Sequence, residues 1–425
     1  SLNMKVVLVS TYERKGGAAI ACYRLKEALL KEGVDVMLLT AYKTSDDPTV
    51  ITPFDTRWKR LKNRFHFYKE RFSIFIKNGF SRKNLFAVSI ADSGTDISAL
   101  PVIREADIIH LHWVNQGFLS LQNIHQLIKL GKPMVFTMHD MWYCTSICHH
   151  ARSCDRFMSI CRECPYLQYP GAFDLSYKVW LKKQFLRNPD IVFTSVSRWL
   201  AKRAGESVLM ETNKIFVIPN VIDTEVFYPR DREKVRMSLG ISDNSKVVVF
   251  GAAKLNDENK GFKLLKQSLK DSKYCREINL FLFGEIKRDK DFLKDIPCNY
   301  RYLGEIGNSE DLARIYSAAD VTVMPSHYET FGQTLAESMA CGTPVVAFNS
   351  SGQTDIIDHL ENGYLVTYPF TSDFVEGMDW VLDHTNPEIR KKCIDKIKRC
   401  FSRDVIVRQY LDLYHDLFVK DQLRK

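Results

Sequence analysis

The chain has 425 residues, 45% hydrophobic and 26% charged, which fits a folded protein of about two or three domains and excludes disordered, collagenous and coiled-coil classes. No apolar run approaches the ~20 residues of a membrane span, and Val6–Val9 gives way to Thr11-Tyr12-Glu13-Arg14-Lys15 too soon for a signal peptide. The net charge is +9, and the eleven cysteines are odd in number and clustered, so the expectation is a cytoplasmic protein rather than a secreted disulfide framework.

In chain order, a strand is predicted over Val6–Ser10. Gly16-Gly17 open a helix whose Ala18, Cys22, Leu25 and Leu29 share one face. Gly33 closes it, and Val36–Leu39 is the next strand. Between Arg57 and Lys83 ten Lys or Arg stand against one acid, Glu70, interleaved with Trp58, Phe65, Phe67, Tyr68, Phe72, Phe75 and Phe80. Two readings of 57–83 stand side by side. One is a peripheral contact with an anionic inner-membrane surface; the other is a solvated helix whose aromatic residues face the protein's own core. Strands follow at Ile108–His112, Met134–Met138, Ile191–Val196 and Ile215–Ile218. Polar residues from Tyr228 to Glu233 mark a boundary, giving domains 4–225 and 226–400. The second series has strands at Val247–Phe250, Leu280–Phe283, Tyr302–Leu303, Val321–Met324, Val345–Phe348 and Tyr364–Val366. Its helices lie at Phe262–Leu269, Asp311–Ala318 and Gln333–Met339. Residues 401–425 read as a charged C-terminal helix with the option of crossing back to the N-terminal domain. Strands alternating with helices predict an α/β protein of two Rossmann-like doubly wound domains, with a deep cleft between the carboxyl ends of their sheets.

The most informative run is Ser326 to Pro344. A strand ends at Pro325, a loop carries Glu329, Gly332 allows a tight turn, and a helix starts at Gln333. The free N–H groups of Gly332, Gln333 and Thr334 suit a diphosphate. Glu337 suits the hydroxyls of a ribose, and Glu329 those of the group beyond the diphosphate. Read without context, the two acids are a first-turn Glu and a surface-loop Glu. In context, Glu329-x7-Glu337 with Phe331-Gly332 and Met339-Ala340-Cys341-Gly342-Thr343-Pro344 resembles the retaining glycosyltransferases of family four, which have the GT-B fold.

Other segments share the resemblance. Gly251 through Lys260-Gly261 is similar to the family's donor-phosphate segment, with Lys254 where Arg is usual. Two cations there neutralise a leaving diphosphate, although Lys lacks the bidentate fork of Arg. Lys15-Gly16-Gly17-Ala18-Ala19 resembles the glycine loop, where a Cβ would block the approach of ligand. Thr137-Met138-His139-Asp140 ends a strand, and the resemblance sets His139 against the donor sugar. His110 and His112 share one face of a strand and read as packing residues rather than a metal pair. The resemblance implies a donor linked to UDP, GDP or ADP and no catalytic metal. It also implies an acceptor hydroxyl on a surface glycan (lipopolysaccharide or capsule) or lipid-linked glycan, and front-face transfer without a covalent nucleophile. Nucleotide-sugar epimerases of the same fold, and a silent binding protein, are the alternatives.

Five cysteines fall between Cys144 and Cys164. Cys148, Cys154, Cys161 and Cys164, with one Cys-x2-Cys pair, suit a structural zinc. Cys144 is spare, with His149 or His150 as substitute ligands; a metal-free thiol or disulfide loop is the other reading. A similar cysteine-rich insertion occurs in a bacterial subset of these transferases. The ribbon holds three Arg and two acids and there is no RNA or DNA signature, so nucleic acid is not expected.

Overall fold

A computed structural model describes residues 4–242, 245–287, 289 and 291–424. Two compact units emerge. One comprises the residues up to Pro219 together with those from Val407 onward; the other is Asn220–Ile406.

The first unit is built on seven strands: β1 Lys5–Tyr12, β2 Asp35–Tyr42, β3 Val50–Ile51, β4 Ile108–Leu111, β5 Met134–Met138, β6 Ile191–Ser195 and β7 Lys214–Val217. Their order is β3-β2-β1-β4-β5-β6-β7, and every pairing is parallel. Such a sheet needs both faces covered, which is why Val6–Val9 forms a continuous apolar run, all four residues buried. The helix α1, Gly17–Lys31, lays Ala21, Cys22, Leu25, Ala28 and Leu29 against it.

The second helix, α2, covers Arg57–Lys77 and is capped by Thr56. Its inner face is polar: Asn63, Glu70, Arg71 and Ile74 are its buried residues. Glu70 accepts from the N–H groups of Ile90 and Ala91. The aromatic residues are therefore not in the core, contrary to one sequence reading. Trp58, Leu61, Phe65, Tyr68, Phe72 and Ile76, spaced three and four apart, are all exposed, Trp58 at 80% and Phe72 at 62%. No helix among the described residues is long and apolar enough to cross a membrane.

The second unit repeats the plan with six strands: β8 Lys246–Lys254, β9 Ile278–Glu285, β10 Asn299–Tyr302, β11 Val321–Met324, β12 Val345–Phe348 and β13 Gly363–Val366. They pair in parallel in the order β10-β9-β8-β11-β12-β13. Val248, Phe250, Leu265, Leu280, Val323, Phe348 and Met378 belong to its core. β8 runs four residues past its predicted end, across a register irregularity between Gly251 and Lys254. In each sheet the strand order reverses next to the first strand, at β1/β4 and at β8/β11. Open α/β sheets bind ligands beside the carboxyl ends of such strands.

Candidate functional site

In the second unit the candidate residues follow β8 and β11. Gly261 has φ +72, and a Cβ there would stand 2.1 Å from the carbonyl oxygen of Pro325, so only glycine lets the two loops touch. Asn259 fastens them further. Its carbonyl accepts from the His327 N–H at 2.9 Å, and its side-chain amide donates to the Tyr328 carbonyl at 3.0 Å. This contact brings the Lys260 Nζ to 2.6 Å from Glu329 Oε1. Burial works against the lysine's charge, but Glu329 outweighs it and holds the Lys260 pKa above its ordinary value. The Glu329 N–H donates to Ser351 Oγ, which fixes the loop.

Gly332, at φ +101, caps the helix Gln333–Ala340, and no side chain serves as its N-cap. Glu337 is buried in the second turn of that helix. Gln333 Nε2 donates to its Oε1 at 3.2 Å and the Tyr316 hydroxyl to its Oε2 at 3.4 Å. Thr334 is half-buried beside them. Lys254 ends β8 exposed, and no ion pair joins it to Glu329 among the described residues. The structure thus brings Lys260 and Glu329 together, and Lys254 is not part of that ion pair among the described residues.

In the first unit, Gly16 has φ +89 and caps α1. Apart from the adjoining backbone, no atom of the described residues lies within 4 Å of a Cβ built at Gly16 or Gly17. The constraint at Gly16 is therefore its backbone conformation, with open space beside the loop. His139 follows β5. Its Nε2 lies 2.9 Å from His112 Nδ1, and His110 bonds Tyr414 and Thr137 at 2.6 Å each. Burial pushes the pKa of His110 down to about 3 and of His139 to about 4, and that of His112 well below its usual value. All three imidazoles are neutral at pH 7. The packing role read for His110 is thus a hydrogen-bonded one, while His112 Nε2 is buried with no partner. Asp140 accepts from Trp113 Nε1, the Trp142 N–H and His149 Nδ1. Burial opposes its charge, but His149, His150 and the Trp142 N–H bring its pKa down to about 2.

Comparison with known proteins fits this geometry at both switch points. The family model "Glycosyl transferases group 1" matches residues 231–399, and "Glycosyltransferase Family 4" matches residues 15–226. The chain belongs to the group 1 glycosyltransferases. Among curated relatives, the chain is 29% identical over 301 residues to the D-inositol 3-phosphate glycosyltransferase of Pseudarthrobacter chlorophenolicus, covering 65% of this chain and 62% of that protein. It is 25% identical over 239 residues to the N-acetyl-alpha-D-glucosaminyl L-malate synthase of Bacillus anthracis, covering 54% and 61%. The match thus spans less than two thirds of either relative. Among solved structures, sucrose-phosphate synthase from Thermosynechococcus elongatus superposes with a TM-score of 0.69 at 20% identity, covering 98% of this chain and 100% of that one. Anabaena HepE in complex with UDP-glucose gives 0.64 at 15%, covering 97% and 100%. The fold of the chain is GT-B.

The cysteines of the chain are all free thiols among the described residues. Cys148, Cys154, Cys161 and Cys164 line one small cavity of about 20 Å³. Burial raises the thiols of Cys148, Cys161 and Cys164 to about 12. No three His, Cys, Asp or Glu side chains among the described residues form a metal-ready set as placed. His149 is no substitute ligand, because Asp140 and Ser89 occupy both its ring nitrogens. Sequence reasoning missed Asn259, Ser351 and Tyr316. Only Asn259 gave a signal, as the neighbour of Lys260-Gly261.

Proposed function

We propose that the chain moves a sugar from a nucleoside-diphosphate sugar to an acceptor hydroxyl, with retention of anomeric configuration. The observation that carries this reading is the Lys260–Glu329 pair, beside a helix start without a side-chain cap and a buried Glu337, at the switch point of the second sheet. The N–H groups of Gly332, Gln333 and Thr334 hold the diphosphate, Glu337 takes ribose hydroxyls, and Lys260 with Lys254 offsets the charge of the leaving group. Glu329 accepts from the donor sugar's hydroxyls. His139, neutral at pH 7 and tied through Nε2 to His112, serves the sugar as a hydrogen-bonding group rather than as a positive charge. The glycosidic C–O bond to diphosphate breaks as the acceptor oxygen attacks from the same face, and a diphosphate oxygen takes the acceptor's proton. Because HepE is solved with UDP-glucose, UDP is the first donor nucleotide to test.

A thermal-shift screen against UDP, GDP and ADP tests the reading. A ligand at about 100 times its Kd stabilises by ~2.7 kcal/mol. Silence from all three, in the wild type and in Glu337→Gln alike, refutes a nucleotide site.

Two further parts of the reading concern the first unit. The outward stripe of α2, flanked by Lys59, Arg60, Lys62 and Lys69, suits an anionic membrane surface. Rings there enter the headgroup layer and each cation adds about 1 kcal/mol. That setting fits a surface-glycan acceptor made on a lipid. The four thiols around one cavity suit structural zinc in type and number, provided they close on the ion. Lys183 supports this. It is fully buried, its Nζ donates to the carbonyls of Trp142 and Thr145 and stands 3.5 Å from the Trp142 ring centroid, with no carboxylate partner among the described residues, and burial lowers its pKa to about 7. A zinc–thiolate centre supplies the negative charge it lacks.

A further inference from the structure

His139 is oriented by one side chain, that of His112. Its Nε2 stands 2.9 Å from His112 Nδ1, and the two rings stack with centroids 5.2 Å apart and 26° between their planes. Asp140, next in the chain, takes no part. Its Oδ1 accepts from the Trp142 N–H, and its Oδ2 from Trp113 Nε1 and His149 Nδ1. No hydrogen bond joins it to His139 among the described residues. His112-Trp113, following β4, therefore grips His139-Asp140, following β5, residue against residue.

His112 is itself clamped. Its N–H donates to the Val9 carbonyl at 2.9 Å, and its carbonyl accepts from the Tyr143 hydroxyl at 2.8 Å. The ring is buried and lies 4.2 Å from that of His110, which Tyr414 and Thr137 hold through both nitrogens. A ring so confined presents Nδ1 at a fixed point.

Proton counting then decides the form of His139. Both rings are neutral at pH 7, so each carries one proton on one nitrogen, and a single proton lies between His112 Nδ1 and His139 Nε2. If that proton belongs to His139, His112 carries its own on Nε2, where the N–H is buried without a protein acceptor. If it belongs to His112, the buried Nε2 is a bare lone pair, and the His139 proton is on Nδ1. Buried N–H groups without an acceptor are rarer in proteins than acceptors left underused, which favours the second arrangement. His139 Nδ1 bonds no described residue and is not a buried orphan like His112 Nε2, so its N–H has room to meet a ligand.

We propose that His112 is a positioning residue, whose Nδ1–H donates to His139 Nε2, fixes that ring and confines its proton to Nδ1, where the transferred sugar meets it as a hydrogen-bond donor. The bond made by one ring nitrogen determines what the other presents. Contact with the sugar rests on the glycosyltransfer reading; the position of the proton is a property of the first unit alone.

The test has two arms. Solid-state nitrogen NMR of the full-length protein, isotopically labelled only in its histidine rings, reports which nitrogen is protonated, with His139 assigned by the signals lost in His139→Gln. The expected form is Nδ1–H in the wild type and in His112→Asn, whose amide supplies an N–H where Nδ1 was. In His112→Gln, whose amide reaches only the Nε2 position, His139 shifts toward Nε2–H. The second arm is calorimetric titration with UDP, UDP-glucose, UDP-galactose and UDP-N-acetylglucosamine. At least one sugar adds affinity over UDP. His112→Gln then weakens that UDP-sugar about fivefold, the worth of one hydrogen bond, with UDP affinity unchanged, and His112→Asn restores it. Nε2–H on His139 in the wild type overturns the proposal even if His112→Gln does not fold. So does an unaltered His139 form in a folded His112→Gln, or a UDP-sugar affinity that this variant leaves intact. If UDP binds and no sugar adds affinity, the contact with the sugar is overturned. If UDP itself fails to bind, the donor reading falls, and the spectra still decide whether His112 sets the proton of His139.

Discussion

Acidification from pH 7.5 to 5 should destabilise the first unit steeply, through His110, His112 and His139. In the unfolded chain each histidine titrates near 6.5. In the fold, burial places His110 at about 3 and His139 at about 4, with His112 also well below normal. Below pH 6.5 the unfolded state therefore binds up to three more protons than the native one, and stability falls as pH falls. Each slope rises to about 1.4 kcal/mol per pH unit once the unfolded histidine is protonated, so His110 and His139 together lose roughly 3 kcal/mol between pH 6.5 and 5, and His112 adds to that loss. That compares with a typical total stability of ~5–15 kcal/mol. The stability is fully present above pH 6.5, and the loss stops only near the folded pKa values. Asp140, at about 2 in the fold, titrates below this window, and Lys183, at about 7, adds to the loss only at the top of the range, so the slope between pH 6.5 and 5 belongs to the histidines. Urea unfolding followed by tryptophan fluorescence reads the effect, because five of the six tryptophans lie in the first unit. His110→Gln should cut the pH slope by about a third whatever it does to absolute stability. A flat profile between pH 6.5 and 5, or an unchanged slope in that variant, refutes the claim that these imidazoles are held neutral.

Glu337→Gln should weaken nucleotide binding about tenfold by removing a charge-assisted acceptor; equal affinity by titration removes Glu337 from the ribose site. Gly261→Ala should cost the second unit at least ~2 kcal/mol, from the left-handed backbone and the collision with Pro325, and wild-type urea stability contradicts that. Replacing Trp58, Phe65 and Phe72 together by serine should abolish sedimentation with anionic vesicles while leaving the circular dichroism intact, since these rings are exposed; undiminished sedimentation argues against the membrane face. Protein purified without chelators should carry about one zinc per chain, lost in Cys161→Ser with Cys164→Ser, and metal analysis that finds none in the wild type rejects the zinc centre.

Much of the fold was legible because parallel strands buried on both faces read as short apolar runs. Met134–Met138, Val321–Met324 and Val345–Phe348 coincide with their predicted limits. β3, only two residues long, carried too little pattern to find. The inverted helix α2 was ambiguous for a physical reason: composition reports that aromatic and basic residues alternate, but not which face meets the core. There the answer came from Glu70 and Arg71, whose bonds to the 85–91 backbone turn the polar side inward. At the candidate site, Glu329, Lys260 and Glu337 stood out by motif. Their supports Ser351 and Tyr316 come from segments far apart in the chain, and nothing local marks them.

The partition of the chain has a consequence for how the protein is made. Residues from Val407 onward belong to the first unit, so the second unit is inserted within it, and two chain crossings join the units. During synthesis the first sheet is complete in sequence by Val217, yet Tyr410 and Tyr414 leave the ribosome about 200 residues later. Until then His110 Nδ1 lacks its partner, the Tyr414 hydroxyl, while the Thr137 and Thr194 hydroxyls keep each other and His110 but lack Tyr410; a buried polar group left without a partner costs about 1–3 kcal/mol. The nascent first unit must hold that defect open while the whole second unit folds. A ribosome stalled before residue 410 therefore carries an unfinished polar core as a mark that chaperones and proteases can read.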